Sequence, residues 1–377
     1  MKKRQNRILA PASCAALLLV PAFVQADDLE EKLSGLTLPP GFEISVYAEV
    51  ENARQMAMGD GVLYVGSRRA GKLHAIVDTD GDMVADEVTL IADDLNLPSG
   101  IAWRDGDLYV GAVNQILRYA DLDNRLDNPP EAEVIKDDLP SDRHHGWKYL
   151  AFGPDGMLYI PVGAPCNICL SENPVYAAIS RMDVTKPDEL EIIANGVRNT
   201  VGFDFHPETG NLWFTDNGRD WLGDEIPPCE LNELTEDGQH FGYPYLHGDD
   251  VIDPEFGDKK PDGLVLVNPQ LNLGPHTAPL GMKFYRGDQF PTEFRHRALI
   301  AEHGSWNRTE EAGPIGYRIT MATERNGKFQ YETFIDGWLD GDKAWGRPVD
   351  LLELADGSML LSDDLAGVVY RISYSGD

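Results

Sequence analysis

The sequence predicts an all-β fold, a six-bladed β-propeller, and three observations carry that prediction. Six segments repeat one grammar: an apolar strand, a turn rich in Asp, Gly or Pro, then a second apolar strand. Period-2 apolar patterning around a DG-type turn is a hairpin signal. Helical periodicity is almost absent, and an early strand-like run, FEISVYA (42–48), is free to close a ring against the last unit, which removes the sheet edge that an open array leaves exposed.

The units follow in order as MAMGDGVLYVG (56–66), IAWRDGDLYVG (101–111), LAFGPDGMLYIPVG (150–163), FDFHPETGNLWFTDNG (203–218), MKFYRGDQFPTEFRHRALIAEHG (282–304) and LLELADGSMLLSD (351–363). Most are followed by a third strand: GKLHAIV (71–77), NQILRYA (114–120), AISRMDV (178–184), GYRITMA (316–322) and GVVYRIS (367–373), with ELNEL (230–234) in that place in the fourth. A spacing of roughly 45 to 80 residues per unit suits a propeller blade. The rivals are a large sandwich and a seven-bladed ring. Long insertions, 184–197 and 244–280, read as loops, leaving one domain from about 37 to 375.

The first 26 residues read as a secretory signal peptide, with residues 27–377 as the exported chain. Lys2, Lys3, Arg4 and Arg7 precede an apolar stretch from Ile8 to Val24, and Val24-Gln25-Ala26 offers a small-residue cleavage site. Pro11 and Pro21 interrupt the stretch, which is short for a membrane span. Cys14 leaves a lipoprotein as an alternative. The predicted location is periplasmic or secreted, with no stable membrane insertion. A net charge of -31 repels nucleic acid and anionic lipid, so neither is an expected partner. In Cys166-Asn167-Ile168-Cys169 an oxidising compartment favours a short structural disulfide, with a redox motif as the alternative. Leu170 stands where a haem attachment motif needs His, and no second Cys pair completes a zinc site.

Candidate chemistry lies at the blade mouths. Arg143-His144-His145-Gly146-Trp147-Lys148 precedes the third unit, and His145 is a candidate general base at neutral pH. Gly196-Val197-Arg198-Asn199-Thr200-Val201-Gly202 holds the same place before the fourth unit; Arg198 offers a charged fork for carboxylate or quinone oxygens. From Thr215 to Asn232, acidic side chains, Asn217 and loop carbonyls supply the oxygens that calcium prefers. Asp78, Asp80 and Asp82 alternate around Gly81, with Asp86 and Glu87 close behind; the run reads equally as a calcium loop or an acidic turn. His303-Gly304-Ser305-Trp306-Asn307-Arg308 and Gly346-Arg347-Pro348-Val349-Asp350 each add an Arg near a blade mouth. Trp147, Trp306 and Trp345 read as packing groups. No G-x-S-x-G, P-loop or dinucleotide fingerprint is present, which argues against an ordinary serine hydrolase and a nicotinamide cofactor.

The phrases RHHGWKYLAFGPDG, VGAPCNIC, GVRNTVGFDFHP, WFTDNGRDWLGDEIPPCELNEL, FGYPY and HGSWNR, in that order, resemble the soluble PQQ-dependent sugar dehydrogenases, most closely the sorbosone-dehydrogenase-like branch. The resemblance spans about 42 to 373 and implies a six-bladed propeller holding PQQ over its channel with a calcium ion. It implies His145 as the base, and Arg198 with Asn199 at the quinone oxygens. It implies the carbonyls of Gly218 and Arg219 as ligands of the cofactor calcium, and Glu230 with the Phe241 carbonyl as ligands of structural calcium. Arg347, and with it Arg308, would clamp PQQ carboxylates. The substrate would be a sugar or related alcohol, and electrons would leave to a separate acceptor. Two departures matter: His144 stands where the glucose-oxidising members carry Asp, and Arg219 where they carry Pro. A calcium-dependent lactonase and a non-catalytic binding propeller are the rival functions.

Overall fold

The six repeats become six antiparallel sheets, in a computed structural model that describes residues 26–376. Blade 1 comprises Ala53–Met58, Leu63–Ser67, Leu73–Val77 and Glu87–Ala92; blade 2 comprises Gly100–Arg104, Asp107–Gly111, Ile116–Tyr119 and Glu133–Lys136. Blade 3 runs Ala151–Phe152, Leu158–Val162, Ala178–Met182 and Leu190–Asn195, and Gln239–His240 adds a parallel fifth strand. Blade 4 comprises Phe203–Phe205, Leu212–Asp216, Pro228–Leu234 and Leu271–Pro275; blade 5 comprises Pro279–Phe284, Ala298–Glu302, Arg318–Arg325 and Lys328–Ile335. In blade 6, Pro348–Glu353, Met359–Asp363 and Val368–Tyr374 are joined by Phe42–Glu49 from the other end of the chain.

That last pairing closes the ring as the sequence predicts. Phe42 faces Tyr374 and Glu49 faces Val368 in antiparallel register, with a bulge at Val46–Ala48. The junction is held by apolar burial: Phe42 packs its ring against Phe290, Phe294, Phe334 and Tyr374 at centroid distances of 4.8 to 5.1 Å, a geometry in which aromatic pairs gain beyond their buried area.

One expectation needs correction. The insertions 184–197 and 244–280 are not wholly loop, because they supply the outer strands Leu190–Asn195 and Leu271–Pro275. Both are partly exposed, so neither carries the apolar alternation that marks the inner strands. The predicted signal peptide lies almost entirely outside the described residues. Among those, no helix is long and apolar enough to cross a membrane.

Buried polar side chains tie the inner strands together around the axis. Gln55 of blade 1 donates to the Leu150 carbonyl at 2.6 Å and accepts from the N–H groups of Ile101 and Leu150. Asp350 of blade 6 accepts from the Met56 N–H at 2.9 Å and the Tyr149 hydroxyl at 3.3 Å. A buried backbone or carboxyl group left unpaired is costly, so these ties favour one relative placement of the blades. Gly202 lies at such a close approach: a Cβ there would stand 2.1 Å from the Leu280 carbonyl oxygen.

Candidate active site

The mouths of several blades open on one cavity of about 540 Å³. His145, Arg198, Asn199, Gly218 and Arg347, drawn from distant parts of the chain, all line it. So do Arg54, Arg68, Arg69 and Arg143. Among the described residues, six arginines therefore face one hollow in a protein of net charge -31, and Asp220 is the single carboxylate residue on its wall.

His145 is buried in a left-handed backbone conformation, φ +50, which a non-glycine residue adopts only when its surroundings enforce it. Its Nδ1 lies 2.9 Å from the Ala164 carbonyl. A carbonyl only accepts, so Nδ1 carries the proton and Nε2 keeps its lone pair. Gly163 makes room for this ring, since a Cβ there would stand 2.5 Å from the His145 Cβ. Burial, then the nearby Arg198 and His144, push the imidazole well below its ordinary value, so His145 is neutral at pH 7.

Arg198 is held by a nearly complete shell. Its Nε donates to the Asn167 carbonyl at 2.9 Å, Nη1 to the Asn217 carbonyl at 3.0 Å, and Nη2 to the Asn167 Oδ1 at 2.8 Å and Asp220 Oδ2 at 3.1 Å. Four of the five guanidinium N–H groups are thereby used, and one Nη1–H remains. The loop itself is fixed by Asp216, whose carboxylate accepts the N–H groups of Arg198 and Asn199 at 2.7 and 2.6 Å. Arg347 donates through Nε and Nη2 to the carbonyls of His303 and Gly304 at 2.9 and 2.8 Å. Arg68 stacks 3.6 Å over the Trp147 ring with its buried Nε unpartnered. Burial, then the cations Arg54 and Arg69, bring its guanidinium down to about 10. Crowded buried cations and an orphaned donor are what a polyanion would relieve.

Asn167 sits between Cys166 and Cys169, which the structure joins in a disulfide. Besides gripping Arg198, Asn167 accepts from the Asp220 N–H at 2.8 Å and donates to the Asp220 carbonyl at 3.0 Å. The sequence marked the two cysteines but not the asparagine they hold. Also missed was the facing wall: Asp364 pairs with Arg54 Nη1 at 2.9 Å and with His303 Nε2 at 2.8 Å. Burial alone would raise the Asp364 carboxyl, but His303 and Arg54 outweigh it and hold it well below the usual range. Burial pushes His303 down to about 4, against the pull of that carboxylate.

Some predicted residues fall elsewhere. Arg308 does not line the cavity; its donors go to the carbonyls of Gly313 and Asp224 and to Glu225, so it braces two loops rather than reaching a ligand. Asp82 stands apart from the carboxylates that come together, which are Asp78, Asp80 and Asp86. Its Oδ1 accepts the Val84 N–H instead. Trp306 is not a packing group, because 67% of it is exposed. The Arg219 side chain turns to Asp253 and Glu255, leaving only its carbonyl for the predicted role. Glu230 is buried, accepting from the Gly248 N–H at 2.6 Å and Asn232 Nδ2 at 3.0 Å, beside an Asn232 Oδ1 with no partner. Burial and the facing Asp216 raise its carboxyl. A buried acid beside an orphaned amide oxygen suits a hard cation. Phe241 is buried, its ring against Phe214 at 4.9 Å.

Fold and site together describe a six-bladed propeller with a cationic cavity where the blade mouths meet. The Trichoderma reesei family AA12 carbohydrate-active enzyme superposes with a TM-score of 0.75 at 19% identity, covering 90% of this chain and 97% of that one. The PQQ domain of pyranose dehydrogenase from Coprinopsis cinerea gives 0.71 at 18%, with the same coverage. The soluble aldose sugar dehydrogenase of Escherichia coli gives 0.62 at 16%, covering 88% and 99%. At these identities the likeness is one of fold. The family model described as "Domain of unknown function (DUF7133)" matches residues 29–370, and the chain belongs to that family. An uncharacterized protein of Borreliella burgdorferi is 34% identical over 375 residues, 92% of each chain. The PQQ-dependent pyranose dehydrogenase of Coprinopsis cinerea is 32% identical over 127 residues, 28% of this chain and 16% of that one.

Proposed function

We propose that the protein is an exported dehydrogenase, dependent on PQQ and calcium, that oxidises an aldose, a sorbosone-like sugar or a related alcohol. One observation carries the reading: six arginines converge on a single cavity of an acidic protein, beside a neutral, buried histidine. PQQ bears three carboxylates, so the donor set fits it. When bound, it supplies a hydride-accepting quinone, with calcium as Lewis acid.

The chain's own residues do the rest. His145 Nε2 would take the hydroxyl proton of the substrate as the carbinol carbon gives up hydride to the quinone, so the substrate loses one proton and one hydride, two hydrogens and two electrons in all. Arg198, with one Nη1–H unused, and Asn199 both line the cavity and would stabilise the negative charge that develops there. Arg347 and Arg68 would hold the carboxylates of PQQ. The carbonyls of Gly218 and Arg219 offer oxygens to the cofactor calcium, and Glu230 with the Phe241 carbonyl to a structural one. Asp78 and Asp80 belong to an acidic loop that the mechanism does not use. Residues 1–26 direct export, 27–377 form one domain, and a separate quinone or cytochrome accepts the electrons. The lactonase alternative needs free carboxylates around its metal, whereas the one on this wall, Asp220, is bound to Arg198 and Asn307.

The test is reconstitution. Protein stripped with a chelator is given calcium, PQQ or both, and dye reduction is followed with aldoses, sorbosone-like sugars and simple alcohols. Turnover only with both is expected. Calcium-dependent stabilisation without PQQ binding would overturn the reading.

A further inference from the structure

Of the seven tryptophans, only Trp221 and Trp306 are exposed, by 66% and 67%. They are also in contact: their rings meet edge to face at 89°, centroids 5.5 Å apart. Trp306 lines the mouth of the cavity. Two large apolar side chains left in water, touching each other at the mouth of a site, mark a binding surface more strongly than two scattered ones.

The corner is rigidly built. Trp221 follows Asp220 and Trp306 precedes Asn307, and Asn307 Nδ2 donates to Asp220 Oδ1 at 2.5 Å while Asp220 Oδ2 receives Arg198 Nη2. Further out, Asp224 accepts from the Thr309 N–H and hydroxyl at 2.9 and 2.7 Å, and Arg308 clasps Glu225 at 2.9 Å. Trp221 is held at φ +67, a backbone state that costs a bulky residue about 1 kcal/mol or more and persists only where neighbours enforce it. Nothing in the packing of the fold uses either indole's exposed face.

We infer that this corner is a carbohydrate subsite, lying just outside the reacting centre. The inference rests on the dehydrogenase reading for the position of that centre. A pyranose has an apolar C–H face and a hydroxyl edge. The corner offers matching surfaces: indole faces, with Asp220, Asn307 and the His276 ring beside them on the cavity wall. Because the indoles stand at the mouth, they take the sugar unit next to the one oxidised. The substrate class is then a reducing-end disaccharide or longer oligosaccharide.

Calorimetric titration of the full chain with glucose, maltose and cellobiose, with and without PQQ and calcium, tests this. At least one disaccharide should bind roughly tenfold more tightly than glucose, about 1.4 kcal/mol. Trp221→Ala/Trp306→Ala should reduce it to the glucose level with PQQ affinity unchanged. Disaccharides binding no better than glucose, or a double variant that keeps the preference, would overturn the subsite. So would a double variant that loses affinity for an aromatic quinone acceptor and not for sugar. Disaccharide preference in a chain that binds no PQQ would uphold the corner and sink the dehydrogenase reading instead.

Discussion

The two walls of the cavity hold their cations by different means. On the side of blades 3 and 4, Arg198 is gripped mainly by neutral oxygens, those of Asn167 and Asn217, with a carboxylate only at Asp220. On the opposite side, Arg54 and His303 share the buried carboxylate of Asp364. Neutral carbonyls orient a guanidinium without cancelling its charge, so the first wall keeps its positive field for a ligand. The buried carboxylate of Asp364 offsets the charge of Arg54 and accepts from the neutral His303, so this trio is a structural clasp, while Arg347 beside it, held by the carbonyls of His303 and Gly304, keeps its charge for a ligand. Proposed chemistry and structural charge are thus separated across one hollow.

His145→Ala breaks the comparison most severely. Turnover should fall by about 10³-fold or more, with PQQ affinity within a few-fold; normal turnover would remove His145 as base. Next comes Asp364→Asn, which leaves the buried Arg54 without its counter-charge and the neutral His303 without its charged acceptor. It should cost about 3 kcal/mol or more of stability, read as a lower midpoint in urea, and a change below about 0.5 kcal/mol would deny the clasp. Arg198→Ala should lower the rate by about 10²-fold while unfolding close to wild type, the reverse of the Asp364 pattern. Reducing the Cys166–Cys169 disulfide, or Asn167→Ala, should weaken PQQ binding by about tenfold through lost orientation of Arg198; Asn167→Asp, which keeps the acceptor but sets a second carboxylate against Arg198 and loses the donor to the Asp220 carbonyl, should not restore it.

The smallest effect is on pH. Neutral His145 is the active form, so rate falls as pH drops through its pKa. Burial, Arg198 and His144 hold that pKa below the ordinary 6.5, so the acidic limb of kcat/KM should lie below 6.5. His144→Gln removes one positive neighbour and should move the limb upward. A limb at or above 6.5 in the wild-type protein would contradict the buried, neutral histidine.

The blades were legible because their inner strands alternate sharply around DG turns, as in IAWRDGDLYVG, and because 42–48 had no other partner. The outer strands Leu190–Asn195 and Leu271–Pro275 were not, since half-exposed edges lack that signal. His145, Arg198, Asn199 and Arg347 could be read at blade mouths, a place the repeat defines. Arg54 and Asp364 could not: they meet across 310 residues of chain, with no motif at either end. Arg308 shows the converse error. An Arg at a blade mouth carries no sign of which way it points, and here Asp224 and Glu225 turn it aside.

The central claim is that the cationic cavity holds a polycarboxylate quinone, and PQQ titration of the metal-free and calcium-loaded protein at rising salt tests it directly. Tight binding that needs calcium, weakens with salt and is lost in Arg347→Ala is the predicted result. PQQ that fails to bind, or binds equally well to Arg347→Ala at every salt concentration, would contradict it.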